Sequence, residues 1–576
     1  MKMLSLLLVL VLLTGCGAAP VATVTTEEPT APTQSVETAP VTEAFEIPYV
    51  SRFDSVTEIQ LSDSGIAVNG GEETDSIYTS NDIIYYEDKD AYESGNPYGE
   101  GEAHQRHSAD EAAAHTVVNI TAPGAYRVSG KLSSGQIRID LGEDAYYEAD
   151  AVVELILSDA DITCTVAPAI LFLNTYECDG NWSKETAQAD VDTTSAGANL
   201  ILEGSNTVNG SHVAKIFKDK DEEKKLWKQD GGIYSYMSLN VYGPGSLLLD
   251  ADNEGLDTEL HLTINGGDIT ILSDNDGINT NEDGVSVTTI NAGNLTIHAG
   301  LGAEGDGIDS NGYLVINGGT VISAAKPVSD AGLDSDLGSY IHGGTVIAMG
   351  STMDWAESDS RQVTMNLQFA QKQNADSKIT ITREDGTEIF AFDTAGEHSR
   401  GFSGLILSSP AFQRGETYNV YIDGVQMAYS GNDVGGFPGG FGGGFGGRPG
   451  GEMPEGFEGF EPGQMPEDFD PSKMEGFPGG QMPEGFDPSQ MGGGRGQRPE
   501  GMEMPEGFEG FGKERPEGME PGKMPEGFEP GQMPEGFVPG QMPGGFGGRG
   551  EESGEESIGF YMNDMVNSFS GVKAAA

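Results

Sequence analysis

The feature that most narrows the folds open to this chain is a repeat of about 25 residues in its middle third. Five glycines, Gly232, Gly255, Gly277, Gly307 and Gly332, lie 23, 22, 30 and 25 residues apart. Each is followed by an aliphatic residue (Ile233, Leu256, Ile278, Ile308, Leu333) and then by Tyr234, Asp257, Asn279, Asp309 or Asp334. A second anchor recurs in step: VYG at 241, INGG at 264, INAG at 290, INGG at 316 and IHGG at 341. A short strand-like run (SLLL, DITI, NLTI, TVIS, TVIA) follows each. A unit of this length, with several strand signals and no helix period, has the size of one coil of a β-solenoid, in which each coil buries its apolar face only by stacking on the next. An open sandwich would also be all-β, but it has no need for equivalent residues to recur at one period.

Stacking has consequences for side chains. Equivalent residues in adjacent coils sit about 4.8 Å apart. Leu256, Ile278, Ile308 and Leu333 then form one interior column, and Ile264, Ile290, Ile316 and Ile341 another. Gly255 to Gly332 mark a corner that requires either positive φ or close backbone approach. Asn265, Asn291 and Asn317 form an amide ladder ending at His342. The same logic stacks acids beside the glycine corner: Glu254 and Asp257, Asp276 and Asn279, Asp306 and Asp309, Asp330 and Asp334. Two unit charges ~4.8 Å apart repel by roughly 3.5 kcal/mol at an effective dielectric near 20. A divalent cation between coils turns that repulsion into attraction. Oxygen donors on glycine-bounded turns suit calcium better than magnesium or zinc. The expected metal ligands are therefore Asp257, Asp276, Asn279, Asp306, Asp309, Asp330 and Asp334, with calcium as the cofactor. No EF-hand loop ending in Glu and no His/Cys cluster occurs in these coils.

The flanks read differently. Residues 1–16 have the form of a lipoprotein signal peptide: Lys2, an apolar run from Leu4 to Leu13, and Leu-Thr-Gly-Cys ending at Cys16. The run is too short to span a bilayer, and Cys16 is the expected lipidation site and membrane anchor. Residues 17–48, rich in Thr, Pro, Ala and Glu, are expected to be a disordered tether. Residues 49–350 hold the solenoid, and 351–430, where the repeat stops and Asp-Gly turns bound hairpins, a small β cap. The low-complexity tail, 431–576, repeats MPEGFEPGQ and carries Pro and Gly at a density that prevents a packed core; its Phe and Met residues offer a means of self-association. Its last residues, SIGFYMNDMVNSFSGV, are weakly amphipathic. KIFKDKDEEKKLWKQ (215–229) is the main helix candidate, and His104, His107 and His115 are expected on an exposed loop. Cys164 and Cys178 are either a disulfide or two small buried thiols. With 92 acids against 30 bases and a net charge of −62, nothing in the chain suits neutralisation of nucleic-acid phosphates.

The motifs DGGIYS, NDGINTN, GDGIDSN and DAGLDSD, each followed by an INGG-type strand start, closely resemble the bacterial carbohydrate-binding β-helix lipoproteins, the cellulose- and acid-sugar-binding proteins of anaerobic Gram-positive bacteria. The resemblance extends over roughly 55–430, from GAYRVSGKLSSGQIRID to SSPAFQRGETYNVYIDG. It implies an all-β right-handed parallel β-helix, bound calcium, and affinity for polygalacturonate or cellulose without catalysis. By position, Asp276, Asp306, Asp309 and Asp334 look like the calcium ligands. The insertion at 215–229 and the acidic tail depart from the pattern. The reading is a lipid-anchored, non-catalytic surface protein that binds pectic or cellulosic polysaccharide with calcium, the ion bridging the acidic protein to a uronate carboxylate. No catalytic residue and no sugar-binding residue is assigned; Trp182, Trp227, Trp355, Tyr234, Tyr236, Tyr313 and Tyr340 offer stacking surfaces. Two alternatives stand beside it: a calcium-dependent pectate lyase using Lys326, and a structural adhesin in which the tail does the sticking.

Overall fold

The computed structural model describes residues 46–87, 98–99, 103–181, 183–217, 227–327, 330–351, 354–433 and 556–576. The protein is all-β with almost no helix. From residue 116 to 350 the chain passes back and forth between two parallel ladders. One runs through Thr116–Ile120, Gly135–Asp140, Ile170–Asn174, Gly231–Ser235, Glu254–Thr258, Ile278–Thr280, Ile308–Ser310 and Asp334–Ser335. The other includes Gly124–Leu132, Val153–Thr163, Ala198–Glu203, Leu239–Tyr242, Leu262–Ser273, Val287–His298, Tyr313–Ile316 and Gly338–Ile341. Each pass adds one rung to each ladder, and equivalent positions of the repeat pair directly.

The expected interior columns are present. Ile233, Leu256, Ile278 and Ile308 pair in succession, as do Ile264, Ile290, Ile316 and Ile341, and all are buried together with Leu333 in one continuous core. Each such side chain contributes about 1.5–3 kcal/mol through burial. At the first glycine corner the constraint is close approach rather than unusual φ. A Cβ on Gly277 would meet the Gly307 carbonyl oxygen at 2.5 Å. Positive φ belongs instead to the second anchor, where Gly293 has φ 93° and Gly319 φ 76°, and where a Cβ would also strike the carbonyl one rung back. Both anchors therefore exclude side chains.

The stack is closed at both ends by antiparallel strands, which keep its open edges from templating further pairing. Ile77–Ser80 pairs antiparallel with Thr116–Ile120 at the start, and Thr345–Gly350 with Gly404–Ser408 at the end. Beyond it a β cap surrounds its own core of Met365, Leu367, Phe402, Tyr418, Phe560 and Phe569.

Three expectations change. The tail does not run to the terminus as low-complexity chain: Phe560–Tyr561 and Val566–Ala574 are strands of the cap, the latter parallel to Thr364–Phe369. The described parts of the 215–229 insertion are antiparallel strands, Val213–Phe217 against Trp227–Gln229, not helix. The histidine stretch carries a short helix, Ala109–Ala113, closed by a Ser108–Glu111 capping box. His115 there is buried, with Nε2 against Thr165 Oγ1 at 3.1 Å, whereas His104 is exposed. Cys164 and Cys178 are free thiols. Burial pushes them to about 11 and about 12, Glu177 adding to the rise at Cys178. Cys16, the tether up to residue 45, Trp182 and most of the tail lie outside the described residues. Among the described residues no helix is long and apolar enough to cross a membrane.

Candidate metal centre

In the short strands at the glycine corner, side chains alternate between the two faces. Leu256, Ile278 and Ile308 point inward, so the next residue points outward in every rung. The register places Tyr234, Asp257, Asn279, Asp309 and Asp334 in one column, each paired with the next. The residue before each glycine forms a second column: the Gly255 N–H donates to the Asp276 carbonyl, Gly277 to Asp306 and Gly307 to Ala331. Asp330 thus stands one residue outside that column, its place taken by Ala331. Its carboxylate instead accepts the Gly305 N–H at 2.9 Å.

Despite their charge these groups are withdrawn from water. Glu254, Asp257, Asp276 and Asn279 are all buried. Burial raises the Asp276 carboxyl well above its usual range, and the charges of Glu254 and Asp309 add to the rise. Burial, and then Asp334 and Asp306, push Asp309 up to about 8. Asp306 rises to about 7 through burial, although the Ala331 N–H opposes it. Each shift has the same origin: a negative charge is removed from solvent and set beside others of the same sign.

Among the described residues one acidic trio brings its carboxylate oxygens within 4.8 Å of one another: Asp230, Glu254 and Asp257. Of these only Asp257 was among the expected ligands. Asp230 was missed because its rung carries Tyr234 where the others carry Asp or Asn, which hides the acid four residues earlier. Asn279 lies in the next rung, paired in register with Asp257. Glu254 Oε2 and Asn279 Oδ1 are shielded from solvent and have no hydrogen-bond partner. Orphaned buried acceptors of this kind are costly, and an all-oxygen donor set of carboxylates and an amide matches a hard cation.

The expected ligands downstream, Asp276, Asp306, Asp309 and Asp334, line the same corner but do not converge as closely. Asp354 extends their row. Its N–H donates to the Leu333 carbonyl, and its carboxylate accepts the Ser335 N–H at 3.0 Å. Burial, followed by Asp334, pushes its carboxyl up to about 7. Nothing in the repeat pointed to Asp354, because the period ends before it. Lys326, the one base considered for lyase chemistry, donates its Nζ to the Gly302 carbonyl.

Residues 114–388 match the profile of a family described as carbohydrate-binding domain-containing protein. A protein of that description from Acetivibrio thermocellus is 29% identical over 155 residues, which are 27% of this chain and 44% of the relative. The chain therefore spans less than half the length of that curated relative. Among solved structures, a gadolinium derivative described as the polysaccharide lyase-like protein from C. thermocellum aligns with 50% of this chain and 93% of its own at 19% identity and a TM-score of 0.29. Across its parallel ladders the chain is thus similar to carbohydrate-binding domain-containing proteins.

Proposed function

We propose that this protein binds acidic or cellulosic polysaccharide at the bacterial surface without cleaving it, and that it does so only with calcium in the acid corner. In this reading the coils wind as a right-handed parallel β-helix, the hand expected of parallel crossovers, and Cys16 carries the lipid that holds the protein to the membrane. Asp230, Glu254, Asp257 and Asn279 would hold one ion. Asp276, Asp306, Asp309 and Asp334 offer further carboxylates along the same edge. Calcium supplies positive charge that lets these groups ionise side by side, and so stiffens the stack that a polysaccharide meets.

The observation that carries the reading is the corner itself. Buried acceptors without partners, Glu254 Oε2 and Asn279 Oδ1, stand beside carboxylates that burial and mutual repulsion push up, inside the span that matches a carbohydrate-binding profile. The test is binding of oligogalacturonate and cello-oligosaccharides to the chain in calcium and in chelator, with absorbance of unsaturated uronate followed in parallel. Binding in calcium, loss in chelator and no unsaturated product are expected. Binding that ignores chelator contradicts the metal part, and product formation contradicts the non-catalytic part.

A further inference from the structure

A second feature of the stack is built from different residues. A groove of about 570 Å³ follows the stack axis, and none of the acid-corner side chains lines it. Its floor has two parallel columns. One is Thr263, Thr289, Val315 and Tyr340, each paired in register with the next. The other is the amide ladder: Asn291 Nδ2 donates to Asn265 Oδ1 at 2.9 Å, and Asn317 Nδ2 to Asn291 Oδ1 at 2.8 Å. His342 follows at the next rung, its Nδ1 shielded from solvent and without a hydrogen-bond partner. Burial, then Arg361, pushes the His342 pKa down. The ladder emerges along its length: Asn265 is buried, Asn291 half-buried and Asn317 exposed.

The wall is fixed before any ligand arrives. Thr193 Oγ1 donates to Asn240 Oδ1 at 2.8 Å, Asn240 Nδ2 donates back to the Thr193 carbonyl at 2.8 Å, and Arg52 donates to the Thr194 carbonyl at 2.5 Å. A preformed cleft with a few placed polar groups is the usual form of a small-ligand site, and preorganisation lowers the entropic cost of binding.

We propose that this groove is the polysaccharide site, and that it takes an uncharged linear glycan lying along the stack axis with successive sugars over successive rungs. The inference rests on the reading above, in that it presumes a polysaccharide ligand. The chemistry is matched at three points. An amide, like a sugar hydroxyl, both donates and accepts hydrogen bonds, and the ladder uses only part of each amide's capacity. The rungs repeat about every 4.8 Å, a distance comparable to one sugar ring with its glycosidic link. The half-buried ring of Tyr340 offers a flat apolar face with a polar tip. Charge decides between ligands: Asp190, Asp192 and Asp359 line the groove together with Arg361, an acidic balance that disfavours a chain of uronates.

The test is calorimetric titration of the full chain, in calcium, with cellohexaose and with oligogalacturonate of the same length. Thr289→Arg fills the groove floor, and Thr270→Arg, at a half-buried position in the other half of the preceding pass, is the control. Cellohexaose should bind the unaltered chain and Thr270→Arg alike. Thr289→Arg should weaken it more than tenfold while calcium binding and thermal unfolding stay unchanged. Asn317→Ala, at an exposed position that does not threaten folding, should weaken it about fivefold, the weight of one hydrogen bond. Equal cellohexaose affinity in Thr289→Arg and Thr270→Arg, or in Asn317→Ala and the unaltered chain, overturns the site. Oligogalacturonate that competes cellohexaose out at equal concentration overturns the ligand class. Binding of neither glycan by the unaltered chain removes both this inference and the reading beneath it.

Discussion

At the scale of single residues the account turns on Asp309. Its column neighbours Asn279 and Asp334 sit one strand spacing away on either side, and burial together with Asp334 pushes its carboxyl up to about 8. Replacing one carboxylate by an amide of the same shape removes that repulsion. Asp309→Asn is therefore expected to raise the melting temperature of the chelated protein by several degrees, at about 2–4 °C per kcal/mol, and to lower calcium affinity; melting curves in chelator and in calcium check both. The pH dependence follows from the same groups. The folded carboxyls of Asp306, Asp309 and Asp354 lie at about 7 to 8 against 3.8 when unfolded. The fold thus holds protons that the unfolded chain has released. This stability is fully present below about pH 4 and is lost as pH rises toward about 8. Chelated protein should melt at progressively lower temperature between those limits, while calcium-loaded protein should show a much flatter profile. The column through Asp257, Asn279, Asp309 and Asp334 was legible in the sequence because acid, glycine and period coincide. Asp230 and Asp354 were not, since one lies in a rung whose outward residue is Tyr234 and the other beyond the last repeat. Asp330 was misplaced for a related reason. Counting back from the following Asp could not tell that Ala331 takes the position beside Gly332.

At the scale of elements, each rung is held by its inward aliphatic residue, its glycine corners and its amide. Ile290 lies between Ile264 and Ile316 and is fully enclosed. Ile290→Ala should cost about 2–5 kcal/mol, read as a lower denaturant midpoint with unchanged slope, whereas Thr270→Ser, half-buried on the outer face, should change it by less than about 0.5 kcal/mol. The parallel ladders could be read in advance because one period governed three kinds of residue at once. The arms of the 215–229 insertion could not: their charge pattern suits a helix, but Val213–Phe217 and Trp227–Gln229 pair with one another instead. Tertiary pairing overrides local propensity there.

At the scale of the whole molecule, the stack requires closed ends. The last strand, Val566–Ala574, pairs with Thr364–Phe369 and with Gly431–Asp433, and sets Phe569 and Val572 into the cap core. Removing residues 556–576 should uncover Met365 and Leu367, lower the melting temperature and promote aggregation, both visible by light scattering during a thermal ramp. Nothing local announced this strand, because more than a hundred residues of Gly- and Pro-rich sequence separate it from its partners. The central claim, that acids stacked in successive rungs require a divalent cation, is met most directly by a calorimetric titration of calcium into the chelator-treated chain beside the double variant Glu254→Gln, Asp257→Asn. The account predicts saturable binding with a rise in melting temperature that follows calcium concentration, and a marked loss of both in the variant. Melting and heat that do not respond to calcium would contradict it.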